Sequence, residues 1–101
     1  IDLSGHTNGN RLAVFALKPS PVQATWAGYV NTTGLAQIDY FISDVFTTPL
    51  DMAPFFAEKL AYLPHSRFCY SPPGYSPYVT PVPSESCYHV SFGCSNNLAK
   101  L

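Results

Sequence analysis

Two stretches of this sequence carry residues whose type and spacing could do chemistry. The first is Trp26-Ala-Gly-Tyr29 followed by Thr32-Thr-Gly34. A glycine at the mouth of a strand lets a backbone approach a sugar or phosphate where a Cβ would clash, and the two threonines offer hydroxyls there. A tight turn uses the same residues equally well, with Gly28 and Gly34 permitting positive φ and Thr32 and Thr33 capping the turn. The second stretch is Cys94-Ser-Asn-Asn-Leu-Ala-Lys100. A strand ending at Cys94 and opening through 95–97 into a helix would present unpaired N–H groups and the positive end of a dipole, a place for an anion. Lys100, one turn in, could reach a diphosphate gripped there, as a P-loop lysine does, although the Walker glycines are missing. An ordinary surface lysine is the plain alternative.

Other candidates are less specific. His6 follows a glycine at a strand end and could be a hydrogen-bond partner or a general base near neutral pH; a solvated or core-bonded turn histidine accounts for it as well. His65 and His89 have no carboxylate or cysteine at metal spacing and read as structural. Cys69, Cys87 and Cys94 are odd in number and lack C-x-x-C spacing. They are expected to be reduced and mostly buried, with neither a disulfide framework nor a zinc site. G-x-S-x-G, H-E-x-x-H and G-x-G-x-x-G are absent from the sequence.

The elements that must position these groups follow from local pattern. Residues 1–3 read as the tail of a strand, and Asn8 or Asn10 as the cap of a helix carrying Leu12, Phe15 and Ala16 on one face and closed by Pro19. Residues 22–26 and 38–42 read as strands, rich in β-branched and aromatic side chains, with a polar turn at 28–34. Strand, helix, strand implies parallel pairing through a crossover, hence an α/β fold. Residues 52–60 are predicted as a short helix with Phe55, Phe56 and Leu60 inward, 67–70 as a possible strand, and 88–94 as another strand. The prolines of 71–86 favour an extended linker over packed structure, since they fix φ and remove donors. A ligand for an SH3 or WW domain would need a basic residue beside a P-x-x-P frame, which this stretch lacks.

Composition sets the limits. A chain of 101 residues with 47% hydrophobic and 11% charged residues is too apolar to be disordered and low in charge for a self-sufficient surface. Part of its apolar surface is expected to lie against something else. A net charge of −1 leaves no electrostatic footprint for nucleic acid or an anionic membrane. No apolar run reaches the length of a membrane span and no leader pattern is present, so a cytoplasmic compartment is the default. The opening on Ile1 and the single helical turn at 98–101 suggest a piece of a larger enzyme.

In order along the chain come Gly5-His-Thr7, Asn10-Arg11, Phe15-Ala-Leu-Lys-Pro-Ser-Pro-Val-Gln23, Trp26-Ala-Gly-Tyr29, Thr32-Thr-Gly34, Asp39-Tyr40, Ser43-Asp44, Glu58-Lys-Leu60, Leu63-Pro64, Phe68-Cys-Tyr70 and Phe92-Gly-Cys-Ser-Asn-Asn-Leu-Ala-Lys100. This set resembles the catalytic region of the nucleocytoplasmic protein O-glycosyltransferases: O-linked N-acetylglucosamine transferase, plant SPINDLY and their bacterial relatives. The resemblance implies a fragment of a GT-B enzyme, with two Rossmann-like lobes, a nucleotide sugar between them and tetratricopeptide repeats ahead. Residues 1–70 would close the N-terminal lobe, 71–87 would link the lobes, and 88–101 would open the C-terminal lobe. It further implies that Ala27, Gly28 and Val30 line the donor sugar, that Asn97 and Lys100 lie near the nucleotide with Lys100 on the diphosphate, and that Gly5, His6 and Thr7 stand at the cleft.

By the same resemblance the reaction moves a sugar to a Ser or Thr hydroxyl of an acceptor protein, with inversion and without a required metal or other cofactor. UDP-N-acetylglucosamine is the first donor expected and GDP-fucose, the donor of a SPINDLY-like O-fucosyltransferase, the alternative. A non-catalytic module that binds a partner protein is the reading from a different class. Lys100 and the helix start would stabilise charge on the leaving diphosphate. The family's general bases and most of its base pocket match residues outside this sequence, so the 101-residue chain alone is expected to be inactive. Val30 stands where the family has Pro, which loosens the sugar-side loop; Ser95 replaces a Phe, removing packing worth about a few kcal/mol at a buried site; Ser20 replaces an Ala.

Overall fold

The computed structural model describes residues 1–85 and 89–94. Two units are present, Ile1–Tyr70 and the segment beginning at Ser71. The first holds a three-stranded sheet, β1 (Ala24–Thr25), β2 (Tyr40–Ser43) and β3 (Lys59–Tyr62), in sequential order and parallel throughout. Asp2 adds a parallel bridge to Thr25 at the outer side of β1, so the expected strand tail at 1–3 is reduced to one paired residue.

Helix α1 (Leu12–Ala16) buries Leu12 and half-buries Phe15 and Ala16, the face that the spacing predicts. Asn10 Oδ1 accepts from the Leu12 N–H at 3.2 Å, and Lys18 at φ 52° ends the helix in a left-handed turn ahead of Pro19. Parallel strands need long crossovers. Here α1 supplies the first, an irregular segment the second, and a 3-10 helix, Leu50–Phe55, the third.

Two expectations change in this unit. The predicted helix over 52–60 gives way to that 3-10 turn followed by β3, so Leu60 lies in a strand and Phe55 is exposed. Pro54 inside the segment cannot donate a helical hydrogen bond, while β2 offers Lys59–Tyr62 a full ladder. Phe56 does turn inward, edge-on to the fully buried Phe41 with centroids 5.0 Å apart. No strand forms at 67–70, because Arg67 is drawn into the loops instead.

Apolar burial is slight: Leu12, Ile38 and Phe41 are the buried hydrophobic residues, against nine buried polar or charged ones among those described. Hydrogen bonds at the strand ends must therefore fix much of this unit. Many large apolar side chains, Val22, Phe46, Leu50 and Phe55 among them, are exposed.

In the second unit the described residues are almost all exposed, with a 3-10 turn at Pro83–Glu85. Residues 89–94 form no strand, since a strand exists only with a hydrogen-bonded neighbour. Cys69 and Cys94 are free and exposed rather than buried; both sit in segments without packed structure around them. Cys87 and Tyr88 lie outside the described residues, as do Ser95, Asn97 and Lys100.

Candidate functional site at the strand mouths

At the carboxyl ends of the parallel strands, loops from four places in the sequence meet. Asp2 is buried and organises the first turn: its Oδ1 accepts from Ser4 N–H at 3.1 Å, and its Oδ2 from Gly5 N–H at 2.9 Å and Thr25 Oγ1 at 2.7 Å. Gly5 sits at φ +50°, and a Cβ there would lie 2.4 Å from Tyr29 Cβ. The turn and the loop after β1 are thereby packed together.

Gly28 needs to be glycine for close approach, not for positive φ. A Cβ on it would come within 1.9 Å of the Leu3 carbonyl oxygen. The approaching backbone is the chain's own, and Gly34 at φ +72° is the residue that uses glycine's conformational freedom. Beside Gly28, Ala27 takes φ 68°, and Gly28 N–H donates to the Trp26 carbonyl at 2.9 Å. This is a γ-turn of the rare positive-φ type, a conformation costing about 1–3 kcal/mol unless its surroundings hold it.

What holds it is Arg67. Its side chain is only 1% exposed; Nη2 donates to the Ala27 carbonyl at 3.0 Å and Nη1 to the Tyr29 carbonyl at 3.1 Å. Trp26 Nε1 donates back to the Arg67 carbonyl at 2.9 Å. The Arg67 N–H donates to Asp44 Oδ2 at 2.6 Å, and Asp44 also accepts from the N–H groups of Phe46 and Thr47. These donors, the Arg67 N–H foremost, hold the Asp44 carboxyl below its ordinary range.

The far end of the loop is held by a carboxylate. Glu58, buried just ahead of β3, accepts from Thr33 N–H at 2.8 Å and from Thr32 Oγ1 at 2.7 Å, and also from the Thr33 hydroxyl. Thr32 and Thr33 thus serve the loop's own structure. His6 Nε2 donates to the Thr33 carbonyl at 3.0 Å, and its ring stands edge-on to Tyr29 at 5.4 Å. A carbonyl only accepts, so Nε2 carries the proton and Nδ1 of the neutral ring remains an acceptor. His65 is exposed.

The loop residues singled out in the sequence are therefore brought together: His6 meets the 26–34 loop, on which Ala27, Gly28 and Val30 are exposed. Asn97 and Lys100 fall outside the described residues. Sequence reasoning gave no loop-holding role to Asp2, Glu58 or Arg67, which hold the loops; Glu58 stood in the motif set, and otherwise the signal was that each is a charged residue beside an apolar strand pattern. A hollow of about 260 Å³ lined by Val22, Ile38, Asp39, Tyr40 and Lys59 lies at the amino ends of β2 and β3. That is the end opposite to where parallel sheets take ligands. There Lys18 Nζ donates to Asp39 Oδ2 at 2.5 Å, which holds the Asp39 carboxyl below its ordinary range. No helix among the described residues is long and apolar enough to cross a membrane.

Comparison with known proteins identifies the family. The pattern of a family described as glycosyl transferase family 41 matches residues 1–71. The chain is 46% identical over 101 residues to a protein of Eustoma exaltatum subsp. russellianum named probable UDP-N-acetylglucosamine–peptide N-acetylglucosaminyltransferase SPINDLY, covering all of this chain and 11% of that one. Over 68 residues it is 48% identical to the UDP-N-acetylglucosamine–peptide N-acetylglucosaminyltransferase of Caenorhabditis elegans, covering 67% of this chain and 6% of the relative. A solved mutant O-GlcNAc transferase from Thermobaculum terrenum superposes with a TM-score of 0.71 at 36% identity, over 79% of this chain and 15% of that one. The chain thus spans about a tenth of the length of the curated relatives it matches. With its parallel sheet and glycine-bearing strand mouth inside the matched stretch, this chain belongs to glycosyl transferase family 41.

Proposed function

We propose that this chain forms part of the catalytic region of a protein O-glycosyltransferase that moves N-acetylglucosamine from UDP-N-acetylglucosamine to Ser or Thr hydroxyls of proteins. The observation that carries the reading is the 26–34 loop. It is pinned at both ends by buried charged residues, it exposes Ala27, Gly28 and Val30 at the carboxyl ends of parallel strands, and it lies within the stretch matched by the family. The names of the plant and nematode relatives specify N-acetylglucosamine, which favours that donor over GDP-fucose.

In this reading Ala27, Gly28 and Val30 form a wall for the donor sugar, and His6 stands beside it. Asn97 and Lys100 hold the nucleotide, with the Lys100 ammonium taking up negative charge on the departing diphosphate. The acceptor oxygen forms a bond to the anomeric carbon as the bond to the diphosphate oxygen breaks, and the hydroxyl proton leaves to a base. Attack from the face opposite the leaving group inverts the anomeric centre. With a lysine on the diphosphate, no metal or other cofactor is needed. The division into a lobe at 1–70, a linker at 71–87 and a second lobe from 88, within a GT-B enzyme of the cytoplasm, belongs to the same proposal. The exposed Val22, Phe46, Leu50 and Phe55 support packing against further protein.

The test is transfer by the full gene product carrying this sequence, with UDP-N-acetylglucosamine and GDP-fucose offered in parallel to an acceptor protein, with and without chelator. Chelator-resistant transfer of N-acetylglucosamine with inversion is expected. Transfer of fucose alone would replace the donor, and no binding of either nucleotide sugar would end the reading. Lys100→Ala should lower turnover by about 100-fold or more, as loss of an oxyanion donor does; a change of only a few-fold would remove Lys100 from the mechanism.

A further inference from the structure

Arg67 is an unexpected residue to bury. Among the described residues the only ion pair is Lys18 with Asp39, so the Arg67 guanidinium has no carboxylate partner, and its Nε has no hydrogen-bond partner. It is met by two carbonyls and by the face of Phe68, 5.0 Å from the ring centroid. Stability alone does not account for it, because apolar residues of similar volume commonly replace buried charges at no cost. The geometry of its two bonds does. The planar fork grips the carbonyls on either side of Gly28, those of Ala27 and Tyr29.

We infer that Arg67 is the positioning residue of the donor-sugar loop, fixing the Ala27–Gly28 and Tyr29–Val30 peptide planes so that the loop meets the sugar in one conformation. This rests on the proposed role of the loop. With no cis peptide among the described residues, a carbonyl drawn toward Arg67 turns the N–H of the same peptide the other way. Holding the Tyr29 carbonyl therefore aims the Val30 N–H away from Arg67, where it can donate to an oxygen of the bound sugar. Holding the Ala27 carbonyl keeps the positive-φ turn at Ala27 from relaxing. The Arg67 backbone is itself fixed by Asp44 and Trp26, so the fork acts from a rigid base.

The experiment compares Arg67→Met and Arg67→Lys with the wild-type gene product in three readouts: kcat/KM for the nucleotide sugar, binding of the nucleoside diphosphate alone, and amide exchange at Val30. Arg67→Met is expected to lower kcat/KM by about 10- to 100-fold while diphosphate affinity stays within about threefold, with Arg67→Lys between it and wild type. Amide exchange at Val30 should quicken in the same order. Equal losses for donor and diphosphate would mean general damage and overturn the inference, as would wild-type donor use by folded Arg67→Met. If that variant does not fold, Arg67→Lys is judged by the same criteria.

Val30→Glu, on an exposed position, separates the two levels. If it impairs donor use and the Arg67 variants do not, the positioning role falls and the loop's role stands. If neither impairs it, the loop is not at the donor and both fall. Should the wild type bind neither UDP-N-acetylglucosamine nor GDP-fucose, the functional reading fails by itself; unchanged exchange at Val30 in the variants would then also remove Arg67's hold on the loop.

Discussion

The two ends of the 26–34 loop are held by opposite charges, and they are held differently. At one end the Arg67 cation donates to two carbonyls, which have a second lone pair each and tolerate loss of a partner. At the other the Glu58 anion accepts from a buried N–H and two hydroxyls. An N–H has no second way to be satisfied, so its loss costs the full desolvation of the group. The comparison teaches that the carboxylate end carries stability, whereas the guanidinium end carries shape.

Breaking the anionic end should have the largest effect. Glu58→Ala is expected to destabilise the loop by about 3 kcal/mol, the range for losing hydrogen bonds to a charged group. It would show as roughly 100-fold faster amide exchange at Thr33; exchange unchanged from wild type would mean that the threonines hold themselves. Next is Gly28→Ala, where the new Cβ meets the Leu3 carbonyl at 1.9 Å and neither backbone can yield freely. A loss of about 2 kcal/mol is expected from such overpacking, read as a lower denaturation midpoint. Arg67→Met should change stability by no more than about 1 kcal/mol. A loss as large as that of Glu58→Ala would erase the contrast between the ends.

The smallest effect concerns acid. Asp44, which supports Arg67, is held below its ordinary value of 3.8 by the Arg67 and Thr47 N–H groups, and Asp39 is held below it chiefly by Lys18. A lowered carboxyl pKa gives stability that is complete above the unfolded value and is lost as pH falls through the folded one. The stability that these two carboxyls contribute should therefore be complete above about pH 5 and should weaken only below the ordinary aspartate range. Asp44→Asn should flatten part of that acid dependence.

Much of the fold around the candidate site was legible before the structure was known. Residues 22–26 and 38–42 are rich in β-branched and aromatic side chains and contain β1 and most of β2, and the glycine-bearing turn between them falls where the 26–34 loop is found. The face of α1 was equally plain from Leu12, Phe15 and Ala16. Legibility failed where local preference lost to pairing. Residues 59–62 carry helical-looking neighbours and become β3 because β2 presents an open ladder, and Arg67 sits among aromatic residues yet turns inward because two carbonyls 38 and 40 residues away await it.

The sequence by itself determined the class of fold, the glycine-bearing turn of the candidate site and the family, since side-chain type, glycine spacing and motif order are properties of neighbours along the chain. Only the tertiary structure decided why Gly28 is required, which residues hold the loop and that Glu58 and Arg67 do so with different consequences. Those depend on groups far apart in sequence reaching within hydrogen-bond distance, and no local preference encodes such a meeting.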